Sequence, residues 1–157
     1  MPREAVDMYE RILVATDGSA PAGRALEEAI RLAREQGARL RILHVVDQGL
    51  ALPAEIPNPN LPEVQVSLRI EGEALLKAAL AQARAAGVAA DTVLIEELGW
   101  RSGPAIIEQA AAWPADLIVC GTHGRRGLGR LLLGSDSEYV VSHTRVPVLL
   151  LRASPPG

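Results

Sequence analysis

The run Ile12-Leu13-Val14-Ala15-Thr16-Asp17-Gly18-Ser19 decides the architecture. Four apolar residues and a threonine in succession, stopped by Asp-Gly-Ser, spell a short strand covered on both faces rather than one with a wet side. Behind it, from Ala20 to about Gln36, the apolar positions Ala22, Ala25, Leu26, Ala29, Ile30 and Ala33 recur at helical spacing. Glu27, Glu28, Arg31 and Arg34 fall between them, on the solvent side. Gly37 follows where a left-handed C-cap is expected.

The same alternation continues outward. Leu40 to Val46 reads as a second buried strand, and Glu63 to Ala86 as a long Ala/Leu-rich helix ending at Gly87. Between them, residues 48–62 hold Pro53, Pro57, Pro59 and Pro62 and read as a surface loop. Thr92 to Glu96 is a third strand, and Pro104 to Trp113 a short helix with proline near its first turn. Asp116-Leu117-Ile118-Val119-Cys120 is a fourth strand. A loop rich in Gly and Arg leads to a helix from Ser135 to His143, and Pro147 to Leu151 is the last strand. Strands that are continuously apolar and alternate with helices imply one parallel sheet with helices on both sides. Ligands of such sheets bind beyond the carboxyl ends of the strands, where the strand order reverses. The chemistry is therefore expected just after strands one, two and four.

Bulk properties narrow the function. The 157 residues fit one domain, with 48% apolar residues, 22% charged residues and no Phe, so the core is aliphatic. A net charge of −3 argues against a general nucleic-acid binder. The single cysteine, Cys120, offers no internal disulfide and no cysteine metal site. No apolar stretch is long enough for a membrane span, and the first residues lack a signal-peptide core, so the expected compartment is the cytoplasm.

The most informative stretch is Gly121-Thr122-His123-Gly124-Arg125-Arg126-Gly127-Leu128-Gly129-Arg130-Leu131-Leu132-Leu133-Gly134-Ser135. Glycines let backbone pass close to a ligand or adopt positive φ, and amides gathered at a helix start attract anions. Arg125, Arg126 and Arg130 add positive charge. There is no Gly-Lys-Ser/Thr of a P-loop, and the turn after the first strand has no GxGxxG. Ser135-Asp136-Ser137-Glu138 also reads as a capping box, with Ser135 as N-cap. His44, in mid-strand, reads as packed and hydrogen-bonded, and His123 has no recognisable triad partner.

Gly121-x2-Gly124-x9-Gly134-Ser135 resembles the glycine pattern of ATP-binding universal stress proteins at every defined position. Supporting segments are residues 12–17, Leu43-His44-Val45-Val46-Asp47, Asp116-Leu117-Ile118-Val119 and Pro147-Val148-Leu149-Leu150, so the resemblance spans roughly residues 9–152. It implies a single-domain, three-layer α/β/α fold with a five-stranded parallel sheet ordered 3-2-1-4-5, of the adenine nucleotide alpha hydrolase-like kind. Residues 1–8 and 153–157 would be flexible tails. Carried over position by position, Ala15, Thr16 and Asp17 resemble the segment touching adenine and ribose, and Val45 the residue whose backbone reads the adenine edge. Cys120 and Gly121 would flank base and ribose. Gly124, Arg125, Gly134, Ser135 and Asp136 would cradle the triphosphate, with Mg²⁺ or Mn²⁺ carried by the phosphates.

The family often has a small or apolar residue where this chain has Asp136, a carboxylate that either repels phosphate or holds a cation. Ser102 stands near the family's usual proline position. The resemblance further implies a homodimer through the last strand. The expected function is a regulatory or stress-response nucleotide binder with little or no hydrolysis. The alternatives are a slow ATPase or adenylyl-transfer relative, and a nucleotide-free dimeric interaction module. The loop 48–62 lies on the ligand side and is a candidate cover for bound nucleotide.

Overall fold

A computed structural model describes residues 8–46, 61–96, 101–123 and 133–153. The elements in chain order are β1 (Arg11–Ala15), α1 (Ala20–Gln36), β2 (Arg39–Val45), α2 (Leu61–Ala85), β3 (Ala90–Ile95), α3 (Ser102–Ala112), β4 (Leu117–Gly121), α4 (Ser135–His143) and β5 (Val148–Leu151). The strands form one parallel sheet in the order β3-β2-β1-β4-β5. This is the strand order that the sequence resemblance implied.

Side-chain alternation along the strands builds two cores. Ile12 and Val14 of β1, with Leu40 and Ile42 of β2, face α1 and α2. Leu13 and Leu43 point the other way, toward Ala105, Ile106 and Ala110 of α3 and Val140 of α4. The helices therefore sit in pairs, α1 with α2 on one face and α3 with α4 on the other. Ile12, Leu13, Val14 and Ala15 of the central strand each have an apolar layer to enter, which is why they read as an unbroken apolar run. The edge strands β3 and β5 are half-buried along their whole length.

Local chemistry sets the joint between β1 and α1. The Asp17 carboxylate accepts the Ser19 N–H at 2.9 Å, and the Ser19 hydroxyl, at the N-cap, accepts the Ala22 N–H at 3.3 Å. Pro21 lies in the first turn, where its missing N–H costs nothing. Gly37 ends the helix at φ 66°, a conformation glycine adopts without steric cost, and its N–H donates to the Ala33 carbonyl. At the opposite end of the sheet, Asp116 accepts the N–H groups of Glu10 and Arg11 at 2.8 and 3.1 Å, which ties the start of β1 to the start of β4.

Several boundaries differ from the sequence reading. Pro62 belongs to the first turn of α2, not to the preceding loop, since a proline there forfeits no helical hydrogen bond. The rest of that loop, up to residue 60, lies outside the described residues, as do residues 1–7 and 154–157 of the expected tails. The helix α4 starts at Ser135 as expected, but its N-cap is Gly134, without a side-chain cap bond, and Ser135 is the first helical residue. The capping-box reading of Ser135 is thereby corrected. Gly134 has φ −62°, so it is not a positive-φ glycine. What it does is lie close to the chain leaving β4: its N–H donates to the Thr122 carbonyl at 2.8 Å, and a Cβ there would stand 3.0 Å from the His123 Cα.

Candidate functional site

A cleft opens at the carboxyl ends of β1 and β4, where the strand order reverses. Its floor comes from the sheet: Ala15 closes β1, Leu43 and Val45 come from the end of β2, and Cys120 and Gly121 from the end of β4. Ala22 of α1 and Ile106 of α3 complete an apolar wall. Polar groups gather at the rim. Thr16, Asp17 and Ser19 follow β1, His123 follows β4, Ser102 begins α3, and Asp136 and Ser137 lie in the first turn of α4. The amino ends of three helices thus meet around one apolar floor, and their partial positive charges favour negatively charged ligand groups.

The rim is held by specific bonds. The Ser137 hydroxyl donates to the Gly121 carbonyl at 2.7 Å and locks α4 to the end of β4. The His44 Nδ1 lies 2.8 Å from the Thr16 carbonyl. A carbonyl only accepts, so Nδ1 carries the proton and His44 fixes the backbone at the cleft mouth. This is the packed, hydrogen-bonded role expected from its mid-strand place. Gly121 allows the close approach of α1, since a Cβ there would stand 2.7 Å from the Pro21 Cβ and 2.9 Å from its carbonyl carbon.

Asp136 has a partner that sequence reading did not find. Its Oδ1 accepts the Gly103 N–H at 3.1 Å. The N-cap of α3 is Arg101, whose side chain makes no cap bond, so a carboxylate from α4 does that work instead. Two polar atoms beside the cleft, Thr122 Oγ1 and His123 Nδ1, are buried without a hydrogen-bond partner among the described residues. Burial of the Cys120 thiol pushes its pKa up to about 11, so it is protonated at neutral pH. Among the described residues no group of three or more His, Cys, Asp or Glu could hold a metal ion. None of the described helices is long and apolar enough to cross a membrane.

Of the residues singled out from sequence, the structure brings Ala15, Thr16, Asp17, Val45, Cys120, Gly121 and Asp136 into this one cleft. Gly134 and Ser135 stand at the start of α4 but do not line it. Gly124 and Arg125 lie outside the described residues, with the rest of the loop to 132. Sequence reading missed Ser19, Ala22, Leu43, Ser102, Ile106, His123 and Ser137 as lining residues. Ser102 and Ile106 are four apart, a spacing that puts both on one helix face, but only the packing of α3 against the sheet shows which face meets the cleft.

A doubly wound parallel sheet with its cleft at the switch point is the class of protein that fold and site define. Residues 8–152 match the universal stress protein family, and the chain belongs to that family. A universal stress protein of Methanocaldococcus jannaschii is 36% identical over 152 residues, covering 96% of this chain and 86% of that protein. Among solved structures, a universal stress protein family member from Burkholderia pseudomallei aligns with TM-score 0.73 and 33% identity, over 93% of this chain and 98% of that one. A universal stress protein solved in complex with cAMP aligns with TM-score 0.68 and 27% identity, over 94% of this chain and 100% of that one.

Proposed function

We propose that this chain is an adenine-nucleotide-binding universal stress protein. It holds ATP, with Mg²⁺ or Mn²⁺ carried by the phosphates, and serves as a regulatory or stress-response module of the cytoplasm with little or no hydrolysis. The observation that carries the reading is the cleft itself: Ala15, Thr16, Asp17, Val45, Cys120 and Gly121, from three different strand ends, share one cavity at the switch point. Its apolar floor suits a purine ring, and its helix amino ends suit phosphate. His123 Nδ1, buried without a hydrogen-bond partner among the described residues, fits a ligand that completes its hydrogen bonding. The cAMP complex of the related protein supports an adenine nucleotide as the ligand class.

Mass spectrometry of small molecules released from freshly purified protein, followed by calorimetric titration of ATP with Mg²⁺, tests the reading. Co-purification or saturable binding of an adenine nucleotide is expected, with phosphate release at or near background. A flat titration with ATP, AMP and adenosine alike would exclude a nucleotide site and favour an interaction module.

A further inference from the structure

The described lining of the cleft carries two carboxylates, Asp17 and Asp136, and no lysine or arginine. Asp17 is the local turn residue after β1, bonded to the Ser19 N–H. Asp136 differs, because it is held from outside its own helix. Its Oδ1 is committed to the Gly103 N–H at the start of α3, while the residue itself stands in the first turn of α4. Its carboxylate therefore lies between two helix amino ends, in the kind of position where a ligand phosphate would be most welcome. A side chain fixed in this way cannot swing aside without uncapping α3.

We infer that Asp136 is a built-in anion which makes the cleft select adenine ligands by charge, favouring those with few or metal-neutralised phosphates over the free triphosphate. The inference rests on the adenine-nucleotide reading of the cleft. Asp136 is solvent-exposed, so water screens its repulsion of a phosphate a few ångströms away, and the effect corresponds to a few-fold to about tenfold in affinity. A neutral adenosine does not feel this term. AMP feels part of it, metal-free ATP most of it, and Mg²⁺ bound to ATP relieves it.

Asp136→Asn is the discriminating variant, because an amide oxygen still accepts the Gly103 N–H while the charge is gone. Adenosine, AMP, metal-free ATP and ATP with excess Mg²⁺ are titrated calorimetrically into the parent and this variant at fixed ionic strength. Metal-free ATP should bind the variant a few-fold to about tenfold tighter, adenosine with unchanged affinity, and excess Mg²⁺ should narrow the ATP difference. An unchanged ATP affinity with intact adenosine binding overturns the charge selection and leaves the nucleotide site standing. An equal gain for adenosine and ATP overturns it too, since the effect is then not one of charge. Binding of no adenine compound by either protein overturns the nucleotide reading itself, and the selection with it.

Discussion

Two residues at the end of β4 put the cleft's chemistry within reach of simple measurements. The Cys120 thiol is buried, and burial disfavours the thiolate, so its pKa is pushed up to about 11 from the ordinary 9.0. The folded protein then holds a proton that the unfolded chain gives up between those values. Stability is untouched below about pH 9 and falls as pH rises from there toward 11, by on the order of 2 kcal/mol. Denaturant midpoints of the parent and Cys120→Ala, compared at pH 8 and pH 10, should show the parent losing more on the way up. Parallel curves would mean that the thiol is not desolvated. The thiol should also react with iodoacetamide at pH 8 far more slowly in the folded than in the unfolded protein. Next to it, Gly121→Ala drives a methyl into Pro21, backbone included, and the amino end of α1 must back away. Overpacking of this kind costs about 1–3 kcal/mol, and the displaced turn at Asp17 and Ser19 should weaken nucleotide binding in the same variant. A stable Gly121→Ala protein with parental affinity would show that the contact yields easily.

The helices α3 and α4 pack against each other, with Gly103 close to the Tyr139 side chain, and the bond from Gly103 to Asp136 ties their amino ends. Asp136→Ala removes the only side-chain cap that the described residues give α3 and should cost about 1 kcal/mol in urea unfolding, whereas Asp136→Asn should keep most of it. Equal losses in both variants would mean that charge, not the cap bond, holds the helix start. Such long-range partners explain what sequence could and could not reveal. Helix α1 was legible to its last residue because Ser19, Pro21 and Gly37 mark its ends locally. Strand ends were less legible, because pairing decides them. β4 runs on to Gly121 because that residue pairs with Leu151, and β2 begins at Arg39 because that residue pairs with Arg11. The site followed the same rule. The strand-end residues Ala15, Thr16, Asp17 and Val45 came from the family resemblance, at strand ends where topology places ligands, whereas the tie from Asp136 to a backbone amide 33 positions away left no local mark.

For the molecule as a whole, the edges of the sheet matter most. Both outer strands are half-buried, and β5, Val148 to Leu151, is apolar throughout. An apolar edge with unpaired backbone groups invites a second chain. We expect light scattering at micromolar concentration to give the mass of a homodimer paired through β5, and a monomer mass there would refute it. The sheet order also dictates timing during synthesis. β1 is the first strand made, yet it lies at the centre, and its neighbour β4 starts at Leu117, with the Asp116 carboxylate that clasps Glu10 and Arg11 just before it. At about 5–20 residues per second, roughly five to twenty seconds separate the two strands as they leave the ribosome. For that interval β1 has at most β2 beside it, once β2 has been made, and an open apolar edge on the other side. The nascent chain passes through a half-sheet that shielding by chaperones should protect, and a ribosome stalled before residue 117 should hold a chain that proteases cut readily even where β1, α1 and β2 are complete.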